Sequence, residues 1–187
     1  AQAQDARRLD VLSFRDGRPF DFSVDLDEIT TGALRNAEAL ADRFAAEPND
    51  RWAAYAVGSV YRCLTLSGVS PAHGIRVLIM SDVPEGKGVS SSAALEVATM
   101  AATAACFGRD MDGASIATEC QWAENHIARA PCGIMDQMTS ALGRRDRLLR
   151  LRCQPATVEG HVTVPSGYRF YGIDSGIRHA VSGSDYG

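Results

Sequence analysis

Apolar and polar residues alternate through "LDVLSFRDGRPFDFSVDL", Leu9 to Leu26, on either side of Asp16-Gly17. A period of two around an Asp-Gly pair predicts a β-hairpin. Residues 27–49 are polar and Ala-rich and predict a helix with an irregular linker. In "RWAAYAVGSVYRCLTLSG", Trp52, Ala56, Ser59/Val60 and Cys63 fall near helical spacing, and Gly68 ends the run. "GIRVLIMSD" is rich in β-branched residues and predicts a strand. A helix is expected from about Ser90 to Cys106, stopped by Gly108. Another covers "DGASIATECQWAENHIA", with Asp112 as N-cap. "GIMDQMTSALG" predicts a short helix ending at Gly143, and "DRLLRLRC" and "YRFYGIDS" predict strands. The basic stretch "GRRDRLLRLR" alternates, so its charges are expected on the solvated face of a strand. Strands and helices mix without a βαβα rhythm, which favours α+β over a doubly wound sheet.

Composition narrows the function classes. The chain has 187 residues, enough for one domain with a sizeable core. A net charge of -4 gives no nucleic-acid surface, and no apolar run approaches a membrane span. A polyphosphate ligand would need a local positive site. The five cysteines, an odd number without a CxxC pair, predict reduced thiols in a cytoplasmic protein. Both termini read as cut ends of a longer protein. The four histidines show no metal-ligand spacing.

Chemistry enters with "PEGKGVSSSAALEVA", Pro84 to Ala98. Gly86 and Gly88 allow a tight backbone path, and the serines fall on the first turn of the next helix. Free N–H groups and the positive helix terminus meet there and can hold an anion. The loop is no Walker A motif, because Ser81 stands where that pattern needs its first glycine. A glycine turn followed by Ser90 as a plain helix cap fits the residues equally well.

Two carboxylates lie downstream. Ile116, Cys120, Ala123 and Ile127 mark one buried helix face, and Glu124 sits at its edge. A shielded carboxylate wants a cation or a donor; magnesium and an arginine both satisfy that. Asp136 follows twelve residues later among Ile134, Met135 and Met138, with Gly133 allowing close approach of a ligand. It can take a proton from a hydroxyl, or simply favour a helix N-terminus.

The segments "PEGKGVSSSAALEVA", "AENHIARAPCGIMDQMTS" and "DSGIRHAVSGSDYG" together resemble the GHMP kinase superfamily. Within it the sequence is similar to the galactokinase branch and to L-arabinokinase-like members, from about Arg51 to Gly187. "CGIMDQ" separates it from homoserine and mevalonate kinases. The resemblance implies a ribosomal protein S5 domain 2-like fold with a left-handed βαβ crossover. It also implies a sugar 1-kinase using ATP and Mg2+. Pro84, Gly86, Gly88, Val89, Ser90, Ser91, Ser92 and Ala93 match the ATP phosphate loop, with Val89 where leucine is commoner. Ser92 and Glu124 match the magnesium ligands, and Asp136 the carboxylate facing the anomeric hydroxyl. Arg178 matches an arginine beside that carboxylate, and Gly133 and Tyr186 match sugar contacts. An upstream sugar-binding motif and a C-terminal domain, both parts of the family's site, are not in the sequence. Residues 1–187 are therefore expected to form a GHMP kinase N-terminal domain, inactive by itself. The expected partners are a galactose- or L-arabinose-class sugar and ATP, with no nucleic acid and no membrane. A sugar- and ATP-sensing regulator and another GHMP small-molecule kinase are the competing readings.

Overall fold

The computed structural model describes residues 1–176 apart from Asp16, Ser67, Val69 and Ser70. A four-stranded sheet runs in the order β1-β4-β2-β3. Its strands are β1 (Gln2–Gln4), β2 (Arg8–Arg15), β3 (Arg18–Asp25) and β4 (Gly74–Ile79). The predicted hairpin is β2–β3, paired antiparallel from Arg8↔Asp25 to Arg15↔Arg18. Strands β2 and β4 are parallel, with Leu9 opposite Ile75 and Val11 opposite Val77. Those four side chains point to the same face and are buried. The intervening residues Asp10, Leu12, Arg76 and Leu78 lie on the opposite face, as period-two geometry requires.

The chain between β2–β3 and β4 is helical: α1 (Leu26–Thr30), α2 (Ala37–Ala46), a 3-10 turn at Pro48–Asp50 and α3 (Ala53–Thr65). Ten residues of α3 are buried, from Ala53 to Leu64. With the inner face of the sheet they form the main core around Leu9, Ile75, Val57 and Val60. Fully burying each such side chain is worth roughly 1.5–3 kcal/mol. One helix carries so much of the core because its small residues, Ala56, Gly58 and Ser59 among them, let neighbours approach on several sides. A Cβ at Gly58 would already press on Ile127.

Two more helices, α4 (Ser91–Cys106) and α5 (Gly113–Ala123), pack against α3, and α6 (Met135–Leu142) packs on those two. Asp112 caps α5 as its sequence position predicts, accepting from the Ser115 N–H at 2.8 Å. The helix expected through Ala128 loses α geometry at Glu124, and Glu124–Ala128 form a π-helical turn. Short π segments are rare and concentrate at functional sites.

A second sheet holds β5 (Arg147–Arg152) and β6 (Thr157–Thr163). Leu149 and Leu151 of β5 lean on Ile134 and Met138, while its arginines face solvent as the alternation predicts. The partner of β5 corrects the sequence reading. "TVEGHVT", with a glycine inside it, is the strand, and "YRFYGIDS" is not. Tyr168, Phe170, Tyr171 and Ile173 are all exposed. Alternating apolar residues make a strand only where a neighbouring edge accepts their N–H and C=O groups. Among the described residues none does so here. Among the described residues, parallel pairing is confined to β2–β4, so the mixed α and β arrangement agrees with the expected α+β class.

Candidate functional site

The parallel strand β4 ends at Ile79, and the chain crosses an eleven-residue loop before α4 begins at Ser91. Gly86 and Gly88 take left-handed backbone angles, φ 67° and 68°. A Cβ at Gly88 would touch nothing, so glycine serves the backbone there and not the available space. Ser90 is also left-handed, at φ 61° and ψ 40°. For a serine this conformation costs on the order of 1–3 kcal/mol and persists only where the surroundings impose it. Ser90 does not cap the helix: its side chain makes no capping hydrogen bond. The simple-cap reading of the Gly/Ser stretch is therefore not the geometry adopted. The first-turn N–H groups of α4 receive no hydrogen bond from the Ser90 side chain. Lys87 holds the loop from outside, 2.8 Å from Asp174.

Those N–H groups open on a cleft of about 930 Å³. Gly86, Gly88, Ser90, Ser91 and Ser92 line one side of it. Glu124, Gly133 and Asp136 line the other. Residues far apart in sequence are thus brought to one hollow. Pro84 and Val89 belong to the same loop but do not line the cleft, and Ala93 is buried within α4. Arg178 and Tyr186 lie outside the described residues.

Glu124 is only 4% exposed, deeper than its position at the edge of the α5 face implies. No arginine or lysine pairs with it among the described residues. Its Oε2 accepts from Gln137 Nε2 at 2.5 Å and lies 3.3 Å from the Cys132 thiol. Burial, and then the charge of Glu124, push that thiol up to about 12, so it stays protonated and can donate. A buried carboxylate with only neutral donors, opening on a cleft beside Ser92, fits a hard cation bound through oxygen. Among the described residues no three His, Cys, Asp or Glu side chains converge on one point. A magnesium ion here would complete its shell with hydroxyl, phosphate and water oxygens, as that ion ordinarily does.

Asp136 is the second residue of α6, half-buried at the cleft wall. Gly133 precedes it in an extended segment pinned from behind. Cys132 N–H donates to Asn125 Oδ1 at 2.8 Å, and Gln121 Nε2 donates to Cys132 O at 3.1 Å. These bonds hold the backbone of the segment against α5 and the π turn. A Cβ at Gly133 would meet open space, so the cleft side of this backbone is accessible.

Sequence reasoning missed four contributors. Trp52 and Tyr55 line the cleft from the start of α3. Burial, then Glu124 and Glu96, raise the Tyr55 hydroxyl to about 12. Glu96 and Gln137 lie behind the cleft wall, each fully buried. Gln137 Nε2 also reaches Glu96 Oε2 at 3.3 Å. Burial first, and the neighbouring Glu124 second, hold Glu96 well above the usual carboxyl range. The only signal in sequence was a carboxylate as the single charged residue of the Ser91–Cys106 helix.

Residues 54–144 match the family described as GHMP kinases N terminal domain. The chain is 49% identical over 166 residues to L-arabinokinase of Arabidopsis thaliana, covering 88% of the chain and 16% of that relative. Among solved structures it is similar in fold to Lactococcus lactis galactokinase complexed with galactose. That match has a TM-score of 0.63 at 22% identity, over 88% of this chain and 37% of the other. Methanococcus jannaschii mevalonate kinase gives a TM-score of 0.59 at 17% identity, over 75% of this chain and 39% of the other. The chain thus spans well under half of each of these relatives. With the matched family model, the sheet-and-helix arrangement and the shared sequence, the chain belongs to the GHMP kinase superfamily, as a domain of the galactokinase and arabinokinase-like kind.

Proposed function

We propose that this chain is the ATP-binding part of a sugar kinase. It would transfer the γ-phosphoryl group of ATP to the anomeric hydroxyl of a galactose- or L-arabinose-class sugar. The observation that carries the reading is the single cleft in which the uncapped start of α4 faces Glu124 and Asp136. Phosphoryl transfer needs positioning and charge neutralisation more than covalent help from the protein. The N–H groups of the loop and the first turn of α4 bind the phosphates. Ser92 and Glu124 would hold Mg2+, which when bound neutralises charge on the β- and γ-phosphate oxygens. Asp136 accepts the proton of the sugar hydroxyl, or orients it, while the new O–P bond forms and the bond to ADP breaks. Gly133 leaves room for the sugar against the backbone. Arg178 and Tyr186 are assigned to phosphoryl stabilisation and sugar contact. The remainder of the site is assigned to parts of the longer protein, so the 187 residues alone are expected to be inactive.

Asp136→Asn in the complete protein tests this. Phosphorylation of galactose and L-arabinose should fall at least a hundredfold while ATP binding persists. Full activity would sink the assignment of Asp136. Absence of phosphorylation by the unaltered complete protein, with ATP and sugar both bound, would favour a sensor over an enzyme.

A further inference from the structure

We infer that Gln137 is a positioning residue whose side-chain amide fixes the Glu124 carboxylate for its place at the cleft. The inference rests on the proposed reading of Glu124 as a magnesium ligand. Gln137 follows Asp136 on α6, and successive helical residues point about 100° apart. Asp136 lines the cleft, and Gln137 is fully buried behind it. Its Nε2 carries two hydrogens and stands 2.5 Å from Glu124 Oε2 and 3.3 Å from Glu96 Oε2. The same nitrogen lies 3.5 Å from Cys132 Sγ. One amide nitrogen therefore joins α4, the π turn and the segment leading to Gly133.

The orientation of the amide follows from charge. Turned the other way, its oxygen would face two carboxyl groups. As placed, Oε1 is buried without a partner. A fully buried amide left half-satisfied indicates that the donor side is the side in use. The amide and the Cys132 thiol both engage Glu124 Oε2, and the Glu96 carboxyl is a further hydrogen-bonding neighbour of the same carboxylate. The amide and the thiol hold it from behind. Partners that orient a ligand in this way typically matter 10–100-fold for metal affinity.

In the complete protein, Gln137→Met removes the donor and keeps the length of the side chain. The probe is Mn2+ with a non-hydrolysable ATP analogue, its affinity read by electron paramagnetic resonance. Affinity should fall about 10–100-fold, with the KM for the sugar unchanged. In a Glu124→Ala background the same substitution should add nothing, because the group it positions is gone. If the methionine variant does not fold, Gln137→Leu, which also lacks the donor, takes its place with the same expected loss. Unchanged Mn2+-nucleotide affinity in the folded variant, while Glu124→Ala loses it, overturns the positioning role. Unchanged affinity in Glu124→Ala itself overturns the metal reading beneath it.

Discussion

Glu96→Gln isolates the cost of the carboxyl pair behind the cleft. Glu96 is fully buried, and its Oε1 has no partner. Its carboxyl is held well above the ordinary value of 4.5, by burial first and Glu124 second. The raised folded value sets the sign. The stability contributed by protonated Glu96 is fully present below pH 4.5, and it is lost as pH rises toward the folded value. In that window unfolding releases a proton, and the native state weakens by about 1.4 kcal/mol per pH unit. Glutamine has the same shape, is neutral at every pH and can still donate toward Glu124. The variant should therefore gain on the unaltered protein as pH rises. The gain grows by up to about 1.4 kcal/mol for each pH unit between the ordinary carboxyl value and the raised one. Against a total stability of about 5–15 kcal/mol this is measurable. Urea melts of both proteins at several pH values, in chelator and without nucleotide, give the difference. A difference that stays flat with pH would refute the reasoning, since Glu96 would then ionise alike in both states.

Glu124→Ala should weaken binding of Mg2+-ATP and raise the magnesium concentration needed for activity; an unchanged magnesium dependence counts against its role. Gly74→Ala should destabilise the protein by about 3 kcal/mol or more, because a Cβ there would collide with the backbone of Ala6 and Arg8; a thermal melt near that of the unaltered protein would show that the strands can shift. Asp112→Ala should cost about 1 kcal/mol through loss of the cap on α5, and leave nucleotide affinity unchanged. A denaturant titration and a nucleotide-binding curve measure the two halves of that expectation.

Elements defined by neighbours in sequence were legible at once. The β2–β3 hairpin, the α5 cap at Asp112, the buried face Ile116–Cys120–Ala123–Ile127 and the α6 stop at Gly143 all stand where pattern put them. Their causes are local: side-chain alternation, a carboxylate beside free N–H groups, helical periodicity. The exchange of "TVEGHVT" for "YRFYGIDS" as a strand had no such local cause. Pairing depends on which edge is free, and no residue encodes that by itself.

The site divides in the same way. Sequence by itself determined the Gly/Ser loop, the two carboxylates at Glu124 and Asp136, and the family pattern that joins them. It left Ser90 open as a simple cap, and only its left-handed backbone and free side chain removed that choice. It could not show the depth of Glu124, because that depth depends on the helices packed around the end of α5. Nor could it join Gln137 to Glu96, 41 positions apart, or to Glu124, 13 apart. Those contacts exist because α4 and α6 pack side by side against α5. A buried polar group acquires its meaning from the partners that packing brings to it, and tertiary structure alone decides which those are.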